Sequence, residues 1–215
     1  MNRTKICLRL LVILVLMGNV TGCNSPYSTE QQRQTAIEQA LATFASDAIN
    51  IDMIADPQLN AFNRVPNSCT VLIIQAERRD QLEGLLNNPS LLRNLFARAG
   101  GSENILKLDS YVMMPGQRVT LHLDRVEQAR YVALIAGYYP LPNERHARIF
   151  SIPVELSSQG WWNKRWQAHF IPINIEITLG EATIVRSNKS IRRPSDDVVF
   201  PSKSATGKAS KSIIR

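Results

Sequence analysis

Apolar and polar positions change period three times along this chain of 215 residues, and each change predicts a different kind of element. From Leu8 to Val20 the apolar positions are nearly unbroken, with Leu10, Leu11, Val12, Ile13, Leu14, Val15 and Leu16 at the centre and Arg3, Lys5 and Arg9 at the front. The run is shorter than the roughly 20 apolar residues that cross a bilayer, so residues 1–22 read as a cleaved signal peptide. A helical period follows. Ser28 or Thr29 supplies a cap, Gln31 or Gln32 completes a capping box, and Ile37, Leu41, Phe44 and Ala48 recur at helical spacing. This predicts an amphipathic helix of about 17 residues within Thr29 to Asp47.

From Ile49 onward the period is two. Ile49, Ile51 and Met53 alternate with Asn50 and Asp52 up to Asp56-Pro57, and Cys69 to Gln75 forms a second strand-like run. Arg79 to Leu86 reads as a helix, and Asn88-Pro89 opens another as cap and first residue, with Gly100-Gly101 as its stop. Six more strands are expected at Glu103 to Val112, Arg118 to Leu123, Tyr131 to Gly137, Ala147 to Val154, Pro172 to Leu179 and Ala182 to Ser187. Val119, Leu121 and Leu123 alternate with Arg118, Thr120 and His122; Ile173, Ile175, Ile177 and Leu179 alternate with Asn174, Glu176 and Thr178. One face is wet and the other buried. Tyr131 to Ala136 is apolar throughout and reads as a central strand. Helices fall between the second and third strands without βαβ alternation, so the fold class is mainly β, an antiparallel sandwich with a helical insertion and an extra N-terminal helix.

Composition changes the picture at the two ends. The chain carries 25 Lys+Arg against 18 Asp+Glu, which by itself suggests a polyanion partner. Three of the basic residues lie before Gly22, and Arg186 to Arg215 holds eight more with only Asp196 and Asp197 as acids. With those set aside, 25 and 18 become 14 and 16, so the part expected to fold is near neutral and no nucleic-acid partner is expected. Residues 188–215 are rich in Ser, Lys and Pro and are expected to be a disordered basic tail.

Candidate chemistry is sparse. His122, His146 and His169 show no metal-ligand spacing and are each expected at the surface. Asp47, Asp52 and Asp56 flank or face outward from one strand, which suits solvated carboxylates better than a hydrolytic pair. Cys69 lies in a strand-like run and reads as a buried, inert thiol. Trp161, Trp162 and Trp166, interleaved with Lys164 and Arg165, fit an interfacial belt, a partner anchor, a sugar platform or a long loop folded onto the sandwich edge. No metal, cofactor, small-molecule substrate or catalytic set is expected.

The junction Val20-Thr21-Gly22-Cys23 puts two slim residues before a cysteine and resembles the lipobox of bacterial lipoproteins. The resemblance implies that Cys23 becomes the first mature residue and carries a diacylglycerol thioether and an amide-linked acyl chain. Asn24 follows instead of aspartate, which in such lipoproteins implies the outer membrane.

Within the strands, Ile51 to Asn60, Pro66 and Val71 to Gln75 resemble the first two strands and intervening loop of the type VI secretion outer-membrane lipoproteins, the TssJ (SciN/VasD) family. Leu106 to Tyr111, the turn Met114-Pro115-Gly116-Gln117 and Ala129 to Tyr139 are similar to later segments of that family. The helix before the first strand and the basic tail exceed the family minimum. The resemblance implies a transthyretin-like sandwich that binds the periplasmic C-terminal region of an IcmF-like inner-membrane subunit, TssM, through the loop Asp56 to Ser68. Leu59, Asn60, Phe62, Asn63 and Arg64 are the candidate contacts, and Cys23 is the lipid site. The expected organisation is a signal peptide at 1–22, a lipidated tether at 23–28, the sandwich at 29–187 and the tail. Another envelope machine, or a cell-wall hydrolase, remains as an alternative role.

Overall fold

The computed structural model describes residues 28–97, 105–140, 142–161 and 164–191. The signal peptide, Cys23, the Gly100-Gly101 stop, Trp162 and the chain after Ile191 lie outside the described residues. In order, the elements are α1 (Thr29–Glu38), β1 (Ala45–Ala55), β2 (Cys69–Ala76), α2 (Arg79–Leu86), α3 (Pro89–Phe96), β3 (Lys107–Met113), β4 (Arg118–Arg125), β5 (Tyr131–Ala136), a 3₁₀ turn (Glu144–His146), β6 (Ala147–Ser151), β7 (Val154–Gln159), β8 (Arg165–Phe170), β9 (Ile173–Leu179) and β10 (Ile184–Ile191).

Two four-stranded sheets face each other, one ordered β10-β9-β1-β4 and the other β3-β2-β5-β6. All pairings are antiparallel except β1 with β9, which run parallel from Ile49 opposite Ile173 to Ala55 opposite Leu179. The period-two residues meet between the sheets: Ile49, Ile51 and Met53 of β1 and Ile173, Ile175, Ile177 and Leu179 of β9 pack against Val71, Ile73, Val132 and Leu134 of β2 and β5. A second core lies outside that sheet, where Leu72, Ile74, Ala133 and Ile135 pack under Leu82 and Leu85 of α2 and Leu92 and Leu95 of α3. β2 and β5 are therefore covered on both faces, which is why they read as continuous apolar runs. Asn88 caps α3 by accepting hydrogen bonds from the Ser90 and Leu91 N–H groups, with Pro89 at the first position. No helix among the described residues is long and apolar enough to cross a membrane.

Four expectations need correction. The N-terminal helix stops at Glu38, although Ser28 and Gln31 do form the capping box at its start. Its next carbonyls are taken by tertiary partners: Arg130 donates to the Glu38 and Ala40 oxygens, the Gln128 N–H to Ala42, and Arg125 to Thr43. Ala45 onward then pairs with β4, and Leu41 and Phe44 are left exposed. The run Ala147 to Val154 is two strands, because Pro153 has no N–H to continue the ladder. In the Trp-rich stretch, Arg165 and Trp166 lie on β8, which pairs with β7 as a hairpin, and are not part of a long loop. Finally, β10 extends pairing to Ile191, past the boundary expected at residue 187.

Candidate functional site

β1 runs from one end of the sandwich to the other. At its far end the chain turns through Asp56 to Ser68, where three other connections converge. The Ala61 N–H donates to Glu181 O in the β9–β10 turn, the Gly116 N–H of the β3–β4 turn donates to Asp56 O, and the Tyr139 N–H after β5 donates to Asn60 Oδ1. Beneath them Tyr138 is buried, its hydroxyl 3.1 and 2.9 Å from the carbonyl oxygens of Gly180 and Thr183. Burial is the main reason its phenol is pushed well above the ordinary value.

The loop has an inner and an outer half. Leu59 is fully buried in the inter-sheet core. Asn60, also buried, adopts φ 48° and donates through Nδ2 to Ser68 O at 2.8 Å. Asn67 closes the base, its N–H donating to Leu59 O and its side chain to Val65 O. On this frame Phe62 and Val65 exchange backbone hydrogen bonds of 2.9 and 3.0 Å, and Asn63 and Arg64 between them have φ 50° and 64°. Two consecutive left-handed residues define the tightest two-residue reversal, the one usually filled by Asn-Gly. The turn holds Asn63 and Arg64 out into solvent. Phe62 stays 46% exposed and leans on Tyr139, ring centroids 4.5 Å apart, with Tyr139 at 59% and Val65 at 61% exposure.

Of the candidate contacts, Leu59 and Asn60 build the loop and are buried, with 0% and 9% of their surface exposed. Phe62, Asn63 and Arg64 are presented together. Val65 and Tyr139 join them to make an apolar patch rimmed by polar groups, the composition of a docking surface. Sequence spacing missed both. Tyr139 lies far along the chain, and its only signal was its place beside the buried Tyr138 at the end of an apolar strand.

The other candidates do not converge. Asp56 sits at the far end, accepting from the Gln58 N–H, whereas Asp47 sits at the near end, 3.0 Å from His122 Nδ1. Nine strand positions, about 30 Å, separate them, far beyond the roughly 5–10 Å of a glycosidase pair. Asp52, outward on β1, accepts from the Thr120 hydroxyl. His169 pairs with Glu155 on the hairpin. His146, contrary to expectation, is buried against Tyr138, and burial holds its pKa below the ordinary value. Cys69 is fully buried, and desolvation pushes its thiol up to about 12. Among the described residues no group of three or more His, Cys, Asp or Glu side chains is arranged to hold a metal.

At the near end, Arg125 is buried, with Nε and Nη2 donating to Thr43 O at 3.1 and 2.9 Å. Arg130 reaches Glu38 and Ala40 O, and both guanidiniums lie over the Phe170 ring. These two arginines hold the C-terminal end of α1 and the end of β8 against the sandwich.

Solved structures with a similar fold include Lip of Serratia marcescens, a membrane bound component of the type VI secretion system, 18% identical over 66% of this chain and 98% of that chain, TM-score 0.48. TssJ1 of Pseudomonas aeruginosa, a type VI secretion lipoprotein, is 19% identical over 71% and 98% of the two chains, TM-score 0.46. A chain in the structure of the TssM C-terminal domain from EAEC is 16% identical over 64% and 97%, TM-score 0.44. No curated protein sequence matches the chain. Residues 47–180 match the family described as type VI secretion lipoprotein, VasD, EvfM, TssJ, VC_A0113, a segment that runs from the bulge in β1 through both sheets to the turn after β9. The chain belongs to this type VI secretion lipoprotein family.

Proposed function

We propose that this chain is an outer-membrane lipoprotein facing the periplasm that anchors the type VI trans-envelope complex, gripping the periplasmic C-terminal region of its IcmF-like inner-membrane subunit, TssM. The observation that supports this reading is the polarity of the sandwich. α1, which carries the chain back toward Cys23, is fastened at the near end, whereas Phe62, Arg64, Val65 and Tyr139 occupy the far end. β1 joins the two ends with 11 residues, about 35 Å at the usual strand rise. A lipid at one end and a partner patch at the other make the domain a strut between a membrane and a protein.

In this reading residues 1–22 are removed, Cys23 is acylated, and Asn24 to Ser28 form a short tether. Several acyl chains, each worth about 0.8 kcal/mol per buried CH₂, make the attachment permanent on the timescale of secretion. The role is mechanical and needs no catalytic group. The purified domain is expected to capture the partner's periplasmic domain, and Phe62→Asp combined with Arg64→Glu is expected to abolish capture while leaving the thermal midpoint unchanged. Undiminished capture by the folded double variant would remove the loop from the interface.

A further inference from the structure

Most of the Trp-rich hairpin lies apart from both the core and the partner end, and Phe170 at the end of β8 packs against the inter-sheet core. β7 and β8 pair with each other and pack chiefly on α1, not on either four-stranded sheet. The direction of that packing is informative. Gln32 and Thr35, early in α1, line a hollow with Lys164, Arg165 and Trp166, while Ala40 and Leu41 after its end line another with Gln167, Ala168 and His169. Arg33 lies 4.5 Å over the Trp166 ring. α1 therefore runs alongside β8 in the same direction, with its first turn beside the hairpin turn and its C-terminal end clamped to the sandwich by Arg130.

The chain upstream of Ser28 consequently leaves from the hairpin-turn end. Asn24 to Tyr27 reach at most about 15 Å, so a lipid on Cys23 holds that end close to the bilayer. The side chains displayed there suit such a surface. Trp161 is 87% exposed, and Lys164 and Arg165 are exposed. The neighbouring Glu30 is paired with Arg33 at 3.7 Å, which leaves Lys164 and Arg165 as the net charge of this end among the described residues. Tryptophan settles at the headgroup level, and basic residues are drawn to anionic leaflets over a Debye length.

We propose that the β7–β8 turn, through Trp161, Lys164 and Arg165, is a second membrane contact that seats in the headgroup layer of an anionic phospholipid bilayer beside the lipid anchor. This foot rests on the reading that Cys23 is acylated. One acylated residue followed by a short tether fixes position but leaves the domain free to tilt. A protein contact at the same end restricts that freedom.

The test uses the mature protein purified from membranes, with mass spectrometry of its N-terminal peptide reporting acylation of Cys23 separately. The protein is reconstituted into phosphatidylethanolamine/phosphatidylglycerol vesicles containing brominated phospholipid, and tryptophan emission is read. Quenching of the wild type that falls in Trp161→Phe, and again in Lys164→Glu/Arg165→Glu or when phosphatidylcholine replaces the anionic lipid, supports the foot. Equal quenching in wild type and Trp161→Phe with Cys23 acylated overturns the foot and leaves the anchor standing. If Cys23 carries no acyl chain, the anchor reading fails, and co-sedimentation of the unacylated chain with the same vesicles decides the foot. Salt-sensitive binding that the charge reversals weaken at least about tenfold supports it, and absence of binding overturns it. Unchanged quenching in the Lys164→Glu/Arg165→Glu variant with loss of partner capture would assign the turn to a protein surface and overturn the proposal.

Discussion

Arg64 holds a left-handed backbone that costs a non-glycine residue about 1–2 kcal/mol, and nothing in the folded domain compels an arginine there. In the proposed role it is the side chain of Arg64 that the partner meets. Arg64→Gly is therefore expected to keep or raise the thermal midpoint while weakening partner capture; a loss of stability with full capture would reverse the assignment. Asn60, by contrast, is structural: Asn60→Ala strands the Ser68 carbonyl and the Tyr139 N–H and is expected to cost about 1–3 kcal/mol by chemical denaturation. Cys69 gives a pH prediction. Its folded value near 12 exceeds the ordinary 9.0, so the stability tied to the buried protonated thiol is fully present below pH 9 and is lost as pH rises toward 12. Native protein at pH 8 is expected to resist a thiol reagent until denaturant is added, and rapid labelling without denaturant would contradict this burial. His146 has the opposite sign: burial depresses its value below 6.5, so its contribution is present above that pH and fades as acid protonates the unfolded chain.

Among the elements, α1 is the one most altered by its surroundings. Ile37, Leu41 and Phe44 keep a helical spacing, yet Arg125, Gln128 and Arg130 capture the carbonyls that a longer helix would need. Charged donors to carbonyls are stronger than the helical bonds they replace. Arg125→Met is expected to lower stability by about 1.5–3 kcal/mol in urea unfolding, with amide exchange rising first around Ala42 to Ala45. The hairpin β7–β8 escaped sequence reading for a related reason. Its alternation is weak, with Leu156 and Ala168 among Ser, Gln and His, and it is held by α1, by the Arg33–Trp166 contact and by Phe170 at its end, not by a broad apolar face. The central strands were legible because both of their faces are covered.

The domain as an object has two ends with different chemistry, and the proposed role depends on their separation. Cys23→Ser is expected to leave folding and partner capture intact while abolishing secretion, since the strut loses its membrane end. A secreting Cys23→Ser strain would reduce the residue to an address.

Local spacing and composition were enough to identify the two-sheet class, the helical insertion, the caps at Ser28 and Asn88, and the near neutrality of the folded part, because each depends on residues adjacent along the chain or on counting. The junction at Cys23 and the Asp56–Ser68 loop were also legible as candidates. Folding in three dimensions settled what those residues face. It withdrew Leu59 and Asn60 into the loop frame, brought Tyr139 against Phe62 from a distant strand, ended α1 with arginines from β4 and the segment before β5, and set the hairpin turn beside the start of α1. Each of these is a contact between positions remote along the chain, governed by burial and hydrogen-bond competition that local spacing does not encode.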